Sequence, residues 1–70
     1  MNNPIKPEFV EKVTIYDKKY QLYIEVKLLN GTIGGLGTGI SMWTDGEITD
    51  DQYNTLKEYC KQLLWVHKKN

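Results

Sequence analysis

Cysteine and histidine are the side chains that most readily supply a nucleophile or a base near neutral pH. This 70-residue chain holds one of each, Cys60 and His67. Nucleophilic catalysis needs such groups within hydrogen-bond reach and a third group to orient the base. No Ser-His-Asp or Cys-His arrangement can be assembled from these residues, and no pair of carboxylates has a reason to share a pocket. A single histidine and a single cysteine also offer no zinc-type ligand spacing. The acidic stretch Asp45, Glu47, Asp50 and Asp51 lacks the regular ligand ladder of an EF-hand. Turn chemistry at Asp45-Gly46 and the positive end of a helix dipole account for it. The expectation is a protein that is not an enzyme and takes no cofactor and no metal.

A glycine cluster is the other segment with chemical potential: Gly31, Gly34, Gly35, Gly37 and Gly39. Gly34-x-x-x-x-Gly39 has the glycine spacing of a P-loop. Ile40 stands where that loop needs its lysine, however, and no helix follows to aim its dipole at a phosphate. A structural role is the better reading. Asn30-Gly31 is the favoured pair for a two-residue type I′ hairpin. That turn sets Gly35 opposite Val26, Gly37 opposite Ile24 and Gly39 opposite Leu22, all on the helix-facing side. Each strand glycine costs about 0.5–1 kcal/mol relative to alanine. Close approach of the helix is the first expectation for what offsets this cost. A ligand groove floored by Gly35, Gly37 and Gly39 is the second.

The elements that position these residues follow from periodicity. Residues 20–29 alternate, with Tyr20, Leu22, Ile24, Val26 and Leu28 on one face. A first strand spans about 9–16 and a third about 32–43. An even-length first turn sets Ile15 opposite Leu22, Val13 opposite Ile24 and Phe9 opposite Leu28. Lys12 then falls opposite Glu25, a favourable cross-strand pair. Thr49-Asp50-Asp51-Gln52 reads as a capping box opening a helix over about 50–68. Tyr53, Leu56, Cys60, Leu63, Leu64 and His67 fall on its apolar stripe, with Tyr59 and Val66 at the edge. Cys60 is thus a buried small hydrophobe, and His67 serves the helix end. The fold class is α+β, a two-layer β-β-β-α arrangement with a three-stranded antiparallel sheet packed by one C-terminal helix. Residues 1–8, with Pro4 and Pro7, form an extended arm, and residues 9–70 form a single domain.

The same register assigns an outer face. Val10, Lys12, Thr14, Gln21, Glu25, Lys27 and Leu29 belong to it, and so does an apolar and aromatic group of Tyr16, Tyr23, Leu36, Ile40 and Met42. Tyrosine and methionine are enriched at interface centres. Trp65 lies almost opposite the helix stripe, where an exposed tryptophan is a candidate anchor. These six residues are the expected partner or oligomer interface. Trp43 closes the third strand as core or rim.

Composition bounds the partners. Nine lysines balance nine acids, and there is no arginine. Nucleic-acid binders usually carry a basic excess and use arginine for bidentate contacts, so nucleic acid is the least favoured partner. No run of about 20 apolar residues exists to span a membrane. The lone thiol suits a reducing cytoplasm, and the first seven residues have no apolar core of a signal peptide. A chain this short is marginal as a monomer. The leading expectation is a self-associating, cytoplasmic interaction protein, such as a phage or mobile-element accessory protein that binds and inhibits a host protein or defence system. An oligomer that sequesters a small anionic, nucleotide-like ligand on the glycine strand is the alternative. A weak nucleic-acid binder using Lys18, Lys19, Lys68 and Lys69 is the third.

Overall fold

The structure, a computed structural model, describes residues 4–69. It is α+β, with a single antiparallel sheet of strand order β1-β2-β3-β4 and a C-terminal helix packed on one face. The strands are β1 Val10–Lys18, β2 Gln21–Leu28, β3 Ile33–Gly37 and β4 Ile40–Thr44, and the helix α1 is Asp50–Lys69. The sheet thus has four strands, whereas the sequence pattern predicts three. The predicted third strand folds back at Thr38-Gly39, where Gly39 adopts φ 75°. Only glycine takes that left-handed conformation without a Cβ penalty.

The second hairpin also corrects the predicted register. Asn30-Gly31 does not form a two-residue turn. Leu28 donates to the Thr32 carbonyl at 2.8 Å and Gly31 donates to the Leu28 carbonyl at 3.0 Å, which closes a three-residue loop over 29–31. Within this loop only Gly31 has positive φ, at 91°, as expected of a loop that ends in a left-handed residue. The Asn30 side chain accepts from the Thr32 amide at 2.9 Å instead of entering the left-handed region itself. A loop one residue longer moves every β3 side chain to the opposite face. Leu36 therefore pairs with Ile24, Gly35 with Glu25 and Gly37 with Tyr23.

The first hairpin turns on Lys19-Tyr20, with Lys18 paired to Gln21. Its register is even, so Val13 and Ile15 keep their predicted face, but their partners shift by two residues to Val26 and Ile24. Lys12 consequently faces Lys27 and not Glu25, which faces Thr14. An irregularity between Val10 and Lys12 turns Val10 inward, where it is buried opposite Leu28. Alternation alone would leave it on the outer face; a bulge changes the parity.

The core lies between the sheet and α1. Val10, Ile24, Val26, Leu28, Leu36, Leu56 and Cys60 form one buried cluster, flanked by Phe9, Val13, Met42, Ile48, Leu63 and Leu64. Full burial of such side chains stabilises by about 1.5–3 kcal/mol each. The capping box forms as predicted. Gln52 N–H donates to Thr49 Oγ1 at 3.0 Å, and Thr49 N–H donates to Gln52 Oε1 at 3.1 Å. It fixes where the helix starts and so which stripe meets β2 and β3. The arm residues Pro4, Ile5 and Pro7 line hollows with Tyr59, Gln62 and Leu63, on the helix side of the sheet.

Candidate binding face

Turning β3 over rebuilds the face that α1 leaves open. Gly35 and Gly37 now lie on it, and the Tyr23 ring lies down across them. A Cβ placed on Gly35 would come within 2.6 Å of Tyr23 Oη and 3.0 Å of Cζ; one on Gly37 would come within 3.0 Å of Tyr23 Cδ1. The ring thus runs along β3 in the space where side chains would stand. Its hydroxyl reaches β4, where the Trp43 indole N–H donates to it at 2.9 Å. Tyr16, the register partner of Tyr23, sets its ring 5.9 Å away at an interplanar angle of 31°. Burial raises the Tyr23 pKa above the ordinary tyrosine range, against the lowering effect of the Trp43 hydrogen bond; Glu25 and Tyr16 add to the rise.

Two shallow hollows flank these rings. Tyr16, Lys18, Gln21, Tyr23, Glu25 and Ile40 line one of about 300 Å³. Lys12, Thr14, Tyr16, Glu25, Lys27 and Ile33 line a second of about 160 Å³. Three lysines and one carboxylate therefore frame the aromatic group. Lys12 and Lys27 sit directly across from each other, an arrangement that is mildly destabilising when unpartnered.

Of the six residues expected at the interface, Tyr16, Tyr23 and Ile40 come together here. Leu36 does not, since it is 5% exposed and part of the core. Met42 does not either, because it packs against the same core. Leu36 turns inward because of the longer β2–β3 loop, and Met42 because the irregularity between Gly35 and Gly37 pairs Trp43, not Met42, with Gly35. Trp65 lies on α1, 53% exposed, and α1 covers the other face. Gly35 and Gly37 do not floor a helix-side groove; they lie beneath Tyr23, and Gly39 belongs to a turn. Trp43 is the residue that sequence reasoning left unassigned. Its pairing with Gly35 is what places it on this face.

Elsewhere the chemistry is sparse. Cys60 is fully buried, and desolvation pushes its thiol up to about 11, which suppresses the nucleophilic thiolate. His67 Nε2 lies 2.9 Å from Asp17 Oδ2, joining the end of α1 to β1, with both side chains accessible to solvent. Among the described residues no group of three or more His, Cys, Asp or Glu side chains could hold a metal ion, and no helix is long and apolar enough to cross a membrane. In comparisons with known proteins, no family model, curated protein or solved structure matches this chain.

Proposed function

We propose that this protein is a non-enzymatic interaction protein that engages a macromolecular partner through the open face of its sheet. One observation carries the reading: Tyr16, Tyr23, Ile40 and Trp43 share a face that neither α1 nor residues 4–8 covers. Solvated antiparallel faces are ordinarily polar, and aromatic residues are what interface centres accumulate. A twofold face-to-face dimer would bring Lys12, Lys18 and Lys27 of two copies together, and like charges across an interface are unfavourable. The partner is therefore read as a different molecule.

Affinity capture with the purified protein tests this directly. Ile40→Lys should lose the captured partner, whereas Lys61→Glu, on the exposed side of α1, should keep it. Equal capture by both variants would remove the open face from the interaction.

A second reading has its own support. The hollow beside Tyr16 and Tyr23 has the size of the smallest ligand pockets, so a small anionic molecule held by Lys18 would fit there. Native mass spectrometry of the protein purified from its host separates the two. Added mass of small-molecule size, lost in Tyr16→Ala, supports the ligand reading, and bare chain mass supports the first.

A further inference from the structure

We propose that the open face is a stacking platform for single-stranded nucleic acid, with Tyr16 and Tyr23 receiving bases and Lys12, Lys18 and Lys27 receiving phosphates. The proposal rests on the open face being the working surface and names its partner. Summed charge argues against such a partner, because the chain is neutral. Distribution argues for it. The two hollows on this face contain three lysines and one acid, Glu25, a local balance of +2.

Arrangement narrows the partner further. Lys12 and Lys27 oppose each other at one end of the aromatic pair. Lys18 stands beyond the other end. Between them the Tyr23 ring has one side on Gly35 and Gly37, and its hydroxyl is fixed by Trp43. Any larger residue at 35 or 37 would displace the ring from the sheet. What remains on offer is a fixed π-face between cationic ends, which is the pattern of sequence-tolerant single-strand binding. An acidic polypeptide would satisfy the lysines but would leave an electron-rich ring facing carboxylates. A duplex would meet a surface without the arginine fork used for base edges.

The magnitudes are testable. Three phosphate contacts to a single strand give a salt slope of about −0.7 × 3, or roughly −2. Affinity for oligothymidine or oligouridine of about 15 nucleotides should then fall about 20-fold from about 50 to about 200 mM salt. Lys12→Gln with Lys27→Gln leaves one contact, and the same salt change should then cost only about threefold. Tyr16→Ala should weaken binding at least about fivefold with an unchanged circular dichroism spectrum. Amide shifts in a titration followed by NMR should centre on Tyr16, Tyr23, Gly35 and Gly37.

Absence of oligonucleotide binding at low salt would overturn the proposal. So would binding whose shifts are confined to Lys19, His67 and Lys68, in the hollow beside the first hairpin turn, and leave Tyr16 and Tyr23 unmoved. Poly-glutamate tells the two levels apart. If it shifts the open-face amides and oligonucleotides do not, the nucleic-acid assignment fails while the open face stands as the working surface.

Discussion

On the helix-covered face of the sheet, Ile24, Val26, Leu28 and Leu36 stand in alternation and meet Leu56 and Cys60. On the open face the same two strands, β2 and β3, carry Tyr23 lying flat over Gly35 and Gly37. One face is held by branched side chains that interdigitate. The other is held by one ring that takes the room of two missing side chains. Mutations on the covered face should therefore register as lost stability, and mutations on the open face as lost binding.

The largest effect should come from the covered face. Leu56→Ala removes a fully buried side chain from the core and should cost about 2–5 kcal/mol in denaturant unfolding. A loss near zero would mean that α1 is not packed on the sheet as described.

Titration of Cys60 sharpens the same contrast. Its thiol has an ordinary value of 9.0 and is pushed up to about 11 in the fold by burial. Below pH 9 both folded and unfolded states hold the proton, and the contribution is fully present. Between 9 and 11 the unfolded state releases its proton first, so stability falls as pH rises, by on the order of 3 kcal/mol in all. Cys60→Ala should remove this part of the alkaline decline, measured by urea unfolding across that range. An identical decline in the variant would show that the thiol is not desolvated.

Gly35→Val tests the joint between the two faces. A Cβ there would lie 2.5 Å from the Ile24 carbonyl oxygen as well as against the Tyr23 hydroxyl. The ring must lift and the strands must shift, at a cost of about 1–3 kcal/mol. The indole N–H resonance of Trp43 should move as its hydrogen bond to Tyr23 is lost. The smallest stability effect belongs to Tyr16→Ala. That side chain is 43% exposed and loses only its ring contact with Tyr23, so unfolding should change by no more than about 1 kcal/mol. A larger loss would make the open face structural.

The covered face was the easier one to read from sequence. Strand β2 alternates without exception, and the Thr49–Gln52 box places the helix start and hence its stripe. Strand β3 defeats the same logic because Ile33-Gly34-Gly35-Leu36-Gly37 holds three glycines, which carry no preference for either side. Its faces then depended wholly on the turn at Asn30-Gly31, and that dipeptide serves a two-residue loop and a longer loop ending in Gly31 equally well. The two large apolar residues of β3, Ile33 and Leu36, have opposite parity and so point to opposite registers. Ile40 reached the outer face despite the slip. The two-residue turn at Thr38-Gly39 sets Ile40 beside Gly37 on that face, and the irregularity between Gly35 and Gly37 then brings Trp43 there in place of Met42. The bulge at Val10 left one trace in the hydrophobic pattern, the adjacent apolar pair Phe9-Val10 where alternation allows only one inward residue.

The bond from Trp43 to Tyr23 joins β4 to β2 over the top of β3, and so links strands that are not neighbours. Because β3 brings few side chains to hold its outer neighbour, release of β4 from the sheet is coupled to the release of one phenol ring. Backbone amides of β4 should then exchange with deuterium in step with loss of that bond, which makes the indole proton a clock for the first local opening of the molecule.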